Sequence, residues 1–119
     1  QAMRVMTLNC FNLDPKIEDA EKVVNPRTDV DDDHGDGRFL SLAKAIVVNG
    51  KEPDVVALQE IQDSDGAELS QTTHAKDTYE LLIRSIALLS KVPYQWVDLE
   101  PELNADGGQP GGNIRNGFY

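Results

Sequence analysis

Val5-Met6-Thr7-Leu8, with Cys10 and Phe11, form a nearly continuous apolar run that has no helical spacing. Runs of this kind suit a strand buried on both faces. A second run, Val55-Val56-Ala57-Leu58-Gln59-Glu60-Ile61, follows Pro53-Asp54. Between the two, Phe39, Leu42, Ala43, Ile46 and Val47 recur at helical spacing. Two such strands in one sheet, joined by a crossover helix, run parallel, and the alternation points to an α/β layered domain. The pattern predicts strands over 3–13, 55–61, 94–99 and 114–119, helices over 38–49 and 77–89, and a helical turn near 17–24. Gly50 is expected to end the first helix, and Asp77 with Glu80 reads as a capping box for the second. Segments 16–37, 64–76 and the glycine-rich 104–112 read as loops.

The chain has 119 residues, enough for one domain with a modest core. It carries 21 acidic and 11 basic side chains, a formal net charge of -10. Such a balance argues against bare electrostatic binding of nucleic acid or of an anionic membrane. A phosphate-bearing substrate would have to be met by a cation that the protein recruits. The single cysteine, Cys10, excludes an internal disulfide framework and a Cys-rich zinc module. It follows Asn9 in a buried strand and reads as a small packing residue rather than a nucleophile. No apolar run reaches the roughly 18 residues of a membrane span. The opening residues Gln1-Ala2-Met3 lack the basic patch and apolar stretch of a signal peptide. Ile114 to Tyr119 reads as a strand just beginning, so a fragment of a longer domain is expected.

Two polar positions interrupt the strand pattern at corresponding places: Asn9 late in the first strand and Glu60 late in the second. Ligands of α/β sheets bind outside the carboxyl ends of strands, where these two would converge. A hard cation such as Mg²⁺ is held by one or two carboxylates with water and substrate phosphate. The alternative is a turn asparagine and a strand-end surface glutamate. Asp29, Asp31 and Asp33 are spaced like the opening of a calcium loop, but the sixth position is His34 rather than Gly and the twelfth is Leu40 rather than Glu. A solvated acidic loop at a site rim is the other reading. His34 and His74 lie in polar segments and read as solvated loop histidines.

Thr7-Leu8-Asn9-Cys10-Phe11-Asn12-Leu13 resembles the opening strand of the endonuclease/exonuclease/phosphatase superfamily, which includes pancreatic deoxyribonuclease. Asp54 to Ile61 resembles its second motif, a strand ending in Gln-Glu, and Gly107 to Arg115 is similar to a loop and strand of a bacterial, nuclease-like branch. The resemblance implies the N-terminal half of a four-layer α/β sandwich, two mixed sheets flanked by helices. Glu60 then matches a Mg²⁺-binding glutamate, with Mn²⁺ or Ca²⁺ as substitutes. Asn9 matches the asparagine that orders metal and phosphate, and both are the candidate catalytic and metal-binding residues. Arg115 could donate to a phosphate oxygen, or be a strand-edge salt-bridge partner. Asn113 and the glycine backbone could line a phosphate path, or form a hairpin loop that needs positive φ.

The family's histidine, Asp-x-Asn pair and terminal Asp-His pair all follow, in family order, the point where this sequence stops. Residues 1–119 are therefore expected to be the N-terminal part of the domain and inactive alone. The implied reaction is metal-assisted attack of water on a phosphodiester. Nucleic acid is the expected substrate, and a phospholipid or phosphoinositide the alternative within the family. Export, extracellular or periplasmic, is what the branch implies for location. An exposed apolar sheet face is expected to drive self-association. The rival from another class is a non-catalytic acidic α/β binding module, Ca²⁺-dependent.

Overall fold

The computed structural model describes residues 2–103 and 111–119. They form an α/β domain with one four-stranded mixed sheet. Strand β1 spans Val5–Leu13, β2 Val55–Ile61, β3 Val97–Asp98 and β4 Arg115–Phe118. The order across the sheet is β1-β2-β4-β3. β1 and β2 are parallel, while β4 runs antiparallel to both its neighbours. A second sheet is not among the described residues.

Helix α1 spans Pro26–Asp29, α2 Arg38–Lys44 and α3 Lys76–Ala87. The helical turn expected at 17–24 is a single hydrogen-bonded turn instead, Lys22 N donating to Asp19 O at 2.9 Å, without helix. The helical turn comes later because Asn25 accepts from the Arg27 amide at 3.2 Å and Pro26 occupies the first helical position. The helix expected over 38–49 starts on time but changes pitch, and Ala45–Asn49 is a π-helical segment closed by Gly50 N donating to Ala45 O. Gly50 has φ -79°, so it is no left-handed cap. A Cβ there would lie 2.8 Å from the backbone oxygen of Ile46 and 2.7 Å from Met6 Sδ, so close approach explains the glycine. Arg4 ties down the turn that follows, its Nη2 donating to Lys51 O at 2.6 Å and Glu52 O at 2.9 Å. The capping box at Asp77 is also not realised. α3 begins one residue earlier, and Ser64 Oγ from the loop after β2 accepts from the Asp77 amide at 3.3 Å. Asp77 is left in the first turn, where a negative charge suits the helix dipole.

One face of the sheet is buried under α2 and α3. Cys10, Leu13, Val56, Leu58 and Ile61 meet Phe39, Ala43, Ile46, Tyr79, Leu82 and Ile86 there. The other face stays open and carries exposed Val5, Val97, Leu99 and Phe118. β1 is thus half-buried rather than covered on both faces. β3 is shorter than expected because Tyr94 and Trp96 serve the aromatic core instead of the ladder. Trp96 stacks on Tyr79 at 5.0 Å, and Tyr94 lies 6.1 Å from Tyr119.

Gly117 lies under this stack. A Cβ on it would sit 2.6 Å from the Tyr79 ring, which is held by stacking and cannot swing aside. Gly117→Ala should therefore lower unfolding stability by about 1–3 kcal/mol, measured as a shifted urea midpoint. An unchanged midpoint would contradict this packing.

Candidate functional site

The carboxyl ends of β1 and β2 do not continue their pairing evenly. The register runs in step to Asn9 opposite Gln59, and the next pair is Leu13 opposite Ile61. Toward β4, Leu58 faces Gly117 and Ile61 faces Arg115, so β2 carries one extra residue as a bulge. Phe11, Asn12 and Glu60 absorb the irregularity with φ of 56°, 53° and 56°. In β2 the inward positions are Val56 and Leu58, and strict alternation would send Glu60 into the core. The bulge places Ile61 there, fully buried, and leaves Glu60 half-buried at the edge. The two break points of the sequence pattern are thus brought to the same end of adjacent parallel strands.

Asn9 is exposed, and its Oδ1 accepts from the Phe11 amide at 2.9 Å, pinning the first residue of the turn. No side chain or amide among the described residues donates to the Glu60 carboxylate. A half-buried carboxylate of that kind suits a hard cation, which would complete its shell with water. Cys10, beside it, is fully buried, and burial followed by the charge of Glu60 pushes its thiol up to about 12. It stays protonated and packs, as expected.

Arg115 and Asn113 are held inside the protein. The Arg115 side chain is fully buried. Its Nη1 donates to Asp98 Oδ2 at 2.9 Å, its Nε to Asn113 O at 3.0 Å, and its Nη2 to Thr73 O and Asn113 O. Asp98 also accepts from Tyr79 Oη at 2.7 Å, and burial first, with this bond second, raises the tyrosine pKa. Arg115 is therefore the salt-bridge partner of the neighbouring strand, and an anion could reach it only after these contacts open. Asn113, with φ 47°, donates from Nδ2 to Asp63 Oδ2 at 2.7 Å and to Thr72 O at 3.0 Å. The positive φ expected of a hairpin loop is met at Gly111 and Asn113. Residues 104–110 of the glycine-rich stretch lie outside the described residues.

The acidic loop is rearranged relative to the sequence expectation. Asp29 faces its own helical turn, accepting from the Asn25 amide and Thr28 Oγ1. Its place is taken by Asp14, which the sequence shows only as the residue that ends β1. Single carboxylate oxygens of Asp14, Asp31 and Asp33 lie within 4.8 Å of one another, and the three could hold a metal ion. Glu60 is not a member of this group. Asp33 Oδ2 accepts from the Asp14 amide at 3.1 Å, and Glu18 accepts from the Asp31 amide at 3.1 Å. One cation answers them: Arg38 Nη1 lies 2.8 Å from Asp33 Oδ1 and donates to Phe11 O at 2.7 Å. His34 and His74 are exposed, with His34 edge-on to Phe39 and His74 Nδ1 3.3 Å from Ser64 Oγ. Comparison of the chain with protein-family models, curated proteins and solved structures finds no match.

Crowding shows in the carboxyl pKa values. Burial first and the neighbouring Glu18 second raise Asp14, while burial and Asp33 raise Asp31. Burial pushes Asp33 up to about 6, and burial pushes Asp63 up to about 7 against the hydrogen bond from Asn113. Each folded pKa lies above the ordinary 3.8. Between the two values the folded chain holds protons that the unfolded chain has released, so stability falls as pH rises. The melting temperature should decline from about pH 5 to about pH 8, most steeply at the acid end and more gently once pH passes the folded pKa values of Asp33 and Asp63. A flat or rising profile across that interval would contradict the crowding.

Proposed function

We propose that this chain is the N-terminal part of a metal-dependent phosphodiesterase of the endonuclease/exonuclease/phosphatase type, acting on nucleic acid. The observation that carries the reading is the bulged end of β2 beside β1. It holds Glu60 at the sheet's carboxyl edge, without a donor among the described residues, next to Asn9. Glu60 would hold a Mg²⁺ ion, and Asn9, its turn fixed through the Phe11 amide, would orient a phosphoryl oxygen toward it. The ion supplies Lewis-acid polarisation of the phosphoryl group. Arg115 is spent on the fold and is left out of the site. The open face with Val5, Val97, Leu99 and Phe118 fits a second sheet packing on it, the other half of a four-layer sandwich. Alone, the chain should pair through that face, and light scattering after size exclusion should give more than the monomer mass.

The direct test is a Mg²⁺ titration of the chain followed by amide NMR. Shifts should centre on residues 9–12 and 59–61, and Glu60→Gln should weaken binding by about tenfold or more. Unchanged affinity in that variant would remove Glu60 from the metal role.

A second reading, an acidic module that binds Ca²⁺ without catalysis, is favoured by the meeting of Asp14, Asp31 and Asp33. A cation there would relieve carboxylates that burial leaves crowded. Ca²⁺ should then raise the melting temperature more at about pH 8 than at about pH 5, because it binds the ionised form. Binding that survives Glu60→Gln but fails in Asp31→Asn would select this reading over the first.

A further inference from the structure

Phe11 is the anomaly at the strand end. It is a large apolar side chain, 68% exposed, on a left-handed backbone that bulky residues avoid. It is also firmly placed. The Phe11 amide donates to Asn9 Oδ1 at 2.9 Å, and its carbonyl accepts from Arg38 Nη1 at 2.7 Å. The same guanidinium lies over the ring, Cζ 5.1 Å from the centroid, and is anchored on the buried Asp33 at 2.8 Å. One side of the ring is thus backed by a cation while most of its surface meets water. No core packing accounts for this, because the inward role at this end of the strand belongs to Leu13.

We propose that Phe11, backed by Arg38, is a stacking platform for an unstacked nucleobase of the substrate strand. The proposal rests on the phosphodiesterase reading and narrows its substrate to nucleic acid with an accessible base. Aromatic and guanidinium groups are the side chains on which single-stranded bases stack, and such stacking tolerates any sequence. The placement is apt, since Asn9 fixes both the turn that presents the ring and the edge where a phosphate would meet the metal. A chain of net charge -10 gains little from long-range attraction to phosphate. Contact with the uncharged face of the base is the interaction left to it.

The test uses the 119-residue chain with Mg²⁺ and a thymidine oligonucleotide of about ten residues, beside an abasic oligonucleotide of the same length. Phe11→Ala should weaken binding of the thymidine strand by about tenfold and leave the abasic strand unchanged. Phe11→Trp should restore binding, and the emission added by the new indole should be quenched by the thymidine strand but not by the abasic one. The residue is exposed, so both variants should keep the parent urea midpoint. Equal thymidine binding by Phe11→Ala and the parent overturns the platform, as does failure of the parent to bind. The Mg²⁺ titration of Glu60→Gln then reports separately whether the phosphodiesterase reading survives. Anionic phospholipid vesicles that bind the parent and not Phe11→Ala, with oligonucleotide binding unaffected, would overturn the proposal in favour of a lipid surface.

Discussion

The parity of the parallel β1–β2 pair governs the rest of the molecule. Only one face of that pair is buried, so even-numbered residues of both strands point under the helices. Continued alternation would drive Asn12 and Glu60 inward. Burying a carboxylate without a partner costs several kcal/mol. A left-handed non-glycine residue costs about 1–3 kcal/mol, and asparagine less. Breaking the register also seals the core with Leu13 and Ile61, each worth about 1.5–3 kcal/mol of burial. The break therefore wins, and its by-product is a glutamate held half-buried at the sheet edge. The same break that closes the core keeps the Glu60 carboxylate out of it.

The second constraint is charge. Asp14, Glu18, Asp31 and Asp33 gather where the chain leaves β1, and Arg38 is the cation that reaches them. Ion pairs at this depth roughly break even against their lost hydration, so the pairing says more about position than about stability. Arg38 stands at the start of α2 and touches both the acidic loop and the carbonyl of Phe11. It fixes the long loop 14–37 to the strand end. Burial first, with the neighbouring carboxyls behind it, leaves several of them with pKa values above their ordinary range, a state that protons or a metal ion can relieve.

Much of the architecture was legible because apolar periodicity is a local signal. The extents of β2 and the start of α2 follow directly from Val55 to Ile61 and from the Phe39–Ala43–Ile46 stripe. The positions of Asn9 and Glu60 at one edge followed from strand direction alone. What was not legible depends on partners distant in sequence. Arg4 fastening the turn after the π-helical segment, Ser64 in place of the Asp77 box, and Trp96 leaving the ladder to stack on Tyr79 all arise from tertiary contact. Asp14 shows in the sequence only as the residue that follows β1, because its neighbours in the acidic group lie 17 and 19 positions away. The bulge at Glu60 left a trace in the sequence, a charged residue at an inward parity position, which alternation could have flagged.

Arg115 shows why a residue type alone misleads about function. A lone arginine after a glycine-rich loop invites a phosphate. Yet β4 lies between β2 and β3, and an arginine there is enclosed on both sides. Its planar fork spans Asp98, Thr73 and Asn113, joining β3, β4 and the loop before α3 in one contact set. Losing it would strand Asp98 and two carbonyls away from water, the costly half of any buried pair. Positive charge at the carboxyl edge then falls to Arg38, already shared with Asp33. An anionic ligand approaching this edge meets carboxylates first. On the reading proposed above, attraction would come from a cation held at Glu60 and from the exposed ring of Phe11, a contact insensitive to charge.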